Sequence, residues 1–185
     1  MTHERIFLWN RFTLREAILL GFFATFIVLT RAGLRLHLHL PGHVMFFTMF
    51  FMIMARGCVP KIGAATLTGL IASLAGLFLG MGKGGPIVFV KFLLPALVVE
   101  AAGMIHSDMA ASWIACCLTG AVAAALRVAG STILESLMGL EEEVVLKKAL
   151  FQGGMNALFG ALGALAVPFV IRRLRRGGML TPPKR

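Results

Sequence analysis

The sequence predicts an all-α integral membrane protein, a bundle of about six transmembrane helices, and three observations carry that expectation. Of its 185 residues 58% are hydrophobic and only 14% are charged, where a soluble domain carries about a quarter charged residues. The mean hydropathy is +0.88, and the apolar residues fall in long runs separated by short basic or glycine-rich breaks. A chain of this length is normally one domain, and six spans consume nearly all of it. That leaves no room for a separate catalytic or nucleotide-binding domain. The net charge of +10 sits in short clusters between the apolar runs, so the cations read as topology signals and not as a face for nucleic acid. Cys58, Cys116 and Cys117 lie in or beside apolar segments without CxxC or Cys/His spacing, and read as small packing residues.

The first run, Leu14 to Thr30, follows Arg5, Arg11 and Arg15. A secretory signal cleaved after Thr30-Arg31-Ala32 is its competing reading, and Arg31 and Arg35 count against it, because cleavage regions are small and uncharged. Val44 to Ala55 is short for a span and stops at Arg56, Gly57, Pro60 and Lys61. Ile62 to Leu79 is a full third span ending in the glycine-rich turn Gly80 to Pro86. The fourth runs from Pro86 to Ile105 and the fifth from Ala110 to Ala129. A polar stretch from Gly130 to Lys148 contains Glu141, Glu142 and Glu143, the start of a solvated helix, and Ala149 to Ile171 forms the sixth span.

Eleven Lys and Arg residues fall on the side holding both termini and six on the other, with Lys91 inside the fourth span. The positive-inside rule then places both termini in the cytoplasm. The expected division is a cytoplasmic N-terminal segment 1–13, a transmembrane domain 14–171 and a basic cytoplasmic tail 172–185 of a multi-pass cell-membrane protein.

Small residues recur four apart in the third span, at Ala65, Gly69 and Ser73 and at Ala72, Gly76 and Gly80. Such rows let helix backbones approach closely, so this helix should be central. The sixth span repeats the pattern at Asn156, Gly160 and Ala164, and the first has Ala17 and Gly21. A terminal helix can lie at the bundle edge, which makes the first row the one suited to a partner.

The stretch from Val59 to Gly80, VPKIGAATLTGLIASLAGLFLG, is similar to the junction of the second and third helices in substrate-binding S components of energy-coupling factor (ECF) transporters. A basic start, the Pro41-Gly42 loop, a short second helix and a glycine-rich third helix resemble the same family. The resemblance implies an S-component-like bundle that captures a vitamin or related micronutrient near the outer face. It also implies delivery by toppling within a complex holding a membrane scaffold subunit and two ATPase subunits. Small residues of the family's first helix contact the scaffold, and the matching positions are Ala17 and Gly21, with glycine where the family usually has alanine. Ligand identity does not carry over, since this chain has no Tyr and Trp113 falls near the inner end of the fifth span.

Ionisable groups at membrane depth cost about 2.5–3.5 kcal/mol on insertion scales, so Lys91 and Glu100 require partners or a polar cavity. Their spacing turns them to different faces, which disfavours a mutual salt bridge. Lys91 either faces an anionic ligand or snorkels to the interface, and Glu100 reads as structural. Arg31, Arg35, His37, His39, Lys91, Arg127, Glu135, Gln152 and Asn156 gather towards the outer side and form the candidate substrate site. Arginine forks with amide groups suit a carboxylate or phosphate. Arg31, Arg35, Lys91 and Arg127 outnumber Glu135, so the expected ligand is anionic.

The alternative for the histidines is a transition-metal site of His37, His39 and His43 in the first outer loop, with His37 and His39 sharing a face of an extended segment. Cobalt and nickel S components carry a His at position two, which Met1-Thr2-His3 does not match. A scaffold or assembly subunit that binds no solute is the other alternative. No GxSxG, HExxH or P-loop occurs, so the chain reads as a transport subunit, not an enzyme, with no cofactor and with ATP hydrolysis in separate subunits.

Overall fold

The computed structural model describes residues 12–37, 42–80, 87–106, 108–137 and 142–177, without the side chains of 34–37, 87, 134–137 and 142–148. Its elements are α1 (Leu14–His37), α2 (His43–Cys58), α3 (Ala64–Phe78), α4 (Ile87–Ile105), α5 (Trp113–Leu137) and α6 (Glu142–Arg176), with a 3₁₀ turn at Met109–Ala111 before α5. The all-α, six-helix expectation holds.

Local chemistry explains where the helices start. Thr13 and Glu16 form a reciprocal capping box. The Thr13 amide donates to Glu16 Oε2 at 2.8 Å and the Glu16 amide donates to Thr13 Oγ1 at 3.3 Å, so two amides left over at the start of α1 are satisfied. Gly63 enters α3 at φ 93°, a left-handed conformation open to glycine at little cost. Pro95 lies inside α4 and Pro168 inside α6, which membrane helices tolerate when neighbouring helices surround the broken hydrogen bond.

The helices alternate in direction. At one end, which carries the first and last described residues, Lys61 Nζ lies 2.7 Å from Glu16 Oε2 and Arg172 donates to the Ala111 carbonyl from Nε at 3.2 Å and Nη2 at 2.9 Å. At the far end, Arg31 of late α1 lies over Phe92 of early α4, and Gly42 approaches Met155 and Phe159 near the middle of α6.

Helices α1, α4, α5 and α6 hold stretches long and apolar enough to cross a membrane, at Leu14–Gly33, Val88–Ile105, Trp113–Ile133 and Ala149–Arg176. Their exposed side chains include Ile18, Phe22, Leu97, Leu118, Leu126, Leu158 and Leu162, a surface suited to lipid and not to water. The other two are shorter. The third span was expected to be full length, yet α3 has 15 residues and spans about 22 Å against a hydrocarbon core of about 30 Å. Its ends are set by Gly63 and by the turn after Phe78, inside the apolar run.

Burial follows the small-residue rows. Ala65, Gly69, Ala72, Ser73 and Gly76 of α3 are all buried. A Cβ on Gly69 would stand 2.5 Å from Ala96 Cβ and 3.1 Å from the Phe92 carbonyl oxygen, so α3 and α4 touch backbone to backbone at that point. The row on α6 does the same against α5, where a Cβ on Gly120 would come within 2.5 Å of the Gly160 carbonyl oxygen. The core between them holds Leu20 and Ile27 of α1, Met45, Met49, Met52 and Ile53 of α2, Val99 of α4 and Val167 of α6.

Two boundaries are corrected. The stretch 130–148, expected as a polar connection, is largely helix, because α5 runs on to Leu137 and α6 begins at Glu142. Hydropathy marks where lipid begins, whereas a helix continues as long as its backbone hydrogen bonds and side-chain propensities allow. Likewise α1 continues to His37 and α6 to Arg176.

Candidate functional site

The far end gathers polar side chains from several helices into an apolar setting. Late α1 brings Arg31, whose guanidinium carbon sits 4.6 Å from the centroid of the buried Phe92 ring. This is a cation–π contact. Late α5 brings Arg127. Its Nη1 donates to Met45 Sδ at 2.8 Å, and its Nε is buried with no hydrogen-bond partner among the described residues.

A thioether is a weak acceptor, and a buried guanidinium requires strong acceptors to offset its lost hydration. The arrangement therefore favours an anion with planar oxygen acceptors, which can take two parallel N–H bonds from one arginine. Asn156 is buried on α6 with half-buried Gln152 one turn earlier, and half-buried Lys91 lies on α4 one residue from Phe92.

The helical backbone places Arg35 and His37 in the last turns of α1 and Glu135 in the last turn of α5, with their side chains outside the description. His39 lies outside the described residues altogether. One geometric expectation is corrected: His37 does not belong to an extended loop segment but ends α1, and His43 opens α2, since the leucines at 34 and 36 carry the helix onward. Among the described residues no three of His, Cys, Asp and Glu are grouped as a metal site.

Sequence reading missed Phe92 and Met45 as neighbours of the two arginines. Both look like ordinary core residues in a one-dimensional pattern, and only helix crossing brings them to Arg31 and Arg127.

At the opposite end a second polar centre forms. Arg56 Nε lies 3.2 Å from Glu100 Oε1, close enough for ion pairing but off the line of a hydrogen bond. Arg56 Nη2 also donates to the Gly103 carbonyl at 3.3 Å. Glu100 Oε2 accepts from the amides of Ala65 at 2.9 Å and Thr66 at 3.4 Å, so a carboxylate from α4 caps the positive end of α3. Glu100 is thus engaged in joining α2, α3 and α4, as its structural reading anticipated, with Arg56 as its partner.

Six helices of alternating direction, four of them membrane-crossing by length and composition, with lipid-suited faces and polar groups enclosed at both ends, define a multi-pass α-helical membrane protein. Its fold is that of an ECF transporter S component. The structure matches one described as "Crystal structure of an S-component of ECF transporter" with a TM-score of 0.64, over 91% of this chain and 88% of that one, at 19% sequence identity. The likeness drawn from Val59 to Gly80 therefore extends to the architecture as a whole. No protein-family model matches the sequence, and no curated protein matches it significantly.

Proposed function

We propose that this chain is the substrate-binding subunit of an ECF-type importer and captures an anionic, carboxylate- or phosphate-bearing vitamin or related micronutrient at the far end of the bundle. It is not an enzyme in this reading: ATP is hydrolysed by two separate subunits, and a scaffold subunit docks on α1. Both termini are cytoplasmic, so the far end faces outward.

The observation that carries the ligand's charge is Arg127, whose Nε is buried without a hydrogen-bond partner among the described residues and whose Nη1 donates to the Met45 sulfur. The docking assignment is supported by the Ala17 and Gly21 row. A Cβ on Gly21 would meet nothing within 4 Å, so no described residue closes over that position of the row.

The test is to purify the protein, identify a co-purifying small molecule by mass spectrometry, and titrate it against Arg31→Ala and Arg127→Ala. An anionic molecule bound about 1.5–3 kcal/mol more weakly by Arg127→Ala is the expected result, the size of a hydrogen bond to a charged group. A cationic molecule, or unchanged affinity in both variants, overturns the assignment.

A further inference from the structure

Away from the polar cluster of the far end, the flank formed by α2, α5 and α6 is concave. A hollow of about 640 Å³ opens there, lined by Phe46, Phe47, Phe50, Trp113, Leu165 and Phe169 among others. Its volume falls in the range of about 300–1,000 Å³ typical of ligand sites, and its walls present almost only carbon. Aromatic rings make these walls stiff, since each has two side-chain torsions.

The hollow does not end in lipid alone. Phe169 and Val170 continue into a second hollow of about 520 Å³, whose wall includes Arg173, Leu174 and Gly177. Trp113, which lines the first, lies under Arg172 at 5.6 Å from ring centroid to guanidinium carbon. The two bonds from Arg172 to the Ala111 carbonyl hold that guanidinium at the mouth of the groove. Arg175 is engaged by Asp108 at 3.2 Å. Arg172 and Arg173 therefore keep a positive field at the end of an apolar groove.

We propose that this flank binds an anionic phospholipid, with an acyl chain in the groove of α2, α5 and α6 and the phosphate against Arg172 and Arg173. The charge complementarity selects the occupant. A neutral hydrophobic ligand makes no use of the two guanidiniums, whereas a phospholipid joins a chain that suits the carbon-lined slot to a phosphate that suits the arginines at its end. Basic pockets between membrane helices take anionic headgroups for the same reason, and Trp113 beside Arg172 sits as interfacial tryptophans do.

The test uses the full chain in detergent and native mass spectrometry, with phosphatidylglycerol and phosphatidylcholine of identical acyl chains as probes. Phosphatidylglycerol should be retained about tenfold more than phosphatidylcholine, and the excess should vanish in R172Q/R173Q and return in R172K/R173K. Ala166→Trp, which fills the groove and leaves the arginines in place, should lower retention of both lipids. Circular dichroism checks that each variant is folded. Equal retention of the two lipids, an unchanged excess in R172Q/R173Q, or unchanged retention in a folded Ala166→Trp variant overturns the proposal. So does displacement of phosphatidylglycerol by excess inorganic phosphate, which would mark a site for free anions.

Discussion

Arg56 and Glu100 show what a single pair of charges does inside this bundle. Both are nearly buried, with side-chain exposures of 10% and 6%, and each hydrogen-bonds to backbone groups while pairing its charge with the other. Removing one leaves the other as an uncompensated charge in apolar surroundings. Arg56→Ala should therefore destabilise the fold by about 3–5 kcal/mol, and adding Glu100→Gln should recover part of that loss. Glutamine keeps an acceptor for the Ala65 and Thr66 amides while removing the stranded charge. Unfolding in detergent of the two single variants and the double variant measures the coupling, and additive effects would show that the pair contributes nothing as a pair. The sequence marked Glu100 as needing a partner, because a carboxylate at that depth is expensive. It did not name Arg56, which lies on another helix and reads by itself as a stop signal.

Helices meet in this protein through absent side chains. Gly120 faces the Gly160 backbone, where a methyl group would come within 2.5 Å of a carbonyl oxygen and 2.6 Å of Ala164 Cβ; neither can turn aside as the end of a long side chain could. Gly21, equally small and also on a helix, faces open space. Opposite outcomes follow from the same residue type. Gly120→Ala should destabilise the bundle by about 1–3 kcal/mol, the usual cost of overpacking. Gly21→Trp should leave thermal stability and solute binding nearly unchanged and reduce uptake, because its bulk keeps a partner helix away from α1. Unfolding and binding in detergent together with transport in reconstituted vesicles separate the two. Uptake untouched by Gly21→Trp would remove α1 as the docking surface. Both glycines belong to small-residue patterns in the sequence, and the pattern alone does not distinguish a row packed within the chain from one left open.

Over the whole molecule, the alternation of the six helices puts the two polar centres at opposite ends, with Arg56 and Glu100 at the end that carries the first and last described residues and Arg31 and Arg127 at the other. The charge asymmetry then makes a prediction about the membrane. Reporter fusions following Arg176 should read as cytoplasmic and those inserted near Glu142 as external. Exchanged signals would turn the candidate substrate site to the cytoplasm and remove the basis for capture from outside.

The sequence by itself determined that this is a helical membrane bundle, roughly where its six helices lie, and which small-residue rows allow close packing. Those properties depend on composition and on periodicity along one chain, which any linear reading can follow. Helix ends within 130–148 escaped it, because polarity marks the boundary of lipid and not the last hydrogen bond of a helix. Tertiary structure decided that Arg31 stacks on Phe92, that Arg127 donates to Met45, that Glu100 caps α3 beside Arg56, and that Trp113 and Arg172 stand together at the mouth of a groove. Each of these joins residues far apart in the chain, and their meeting depends on helix crossing and rotation, which arise from packing between elements and leave no local trace in the order of amino acids.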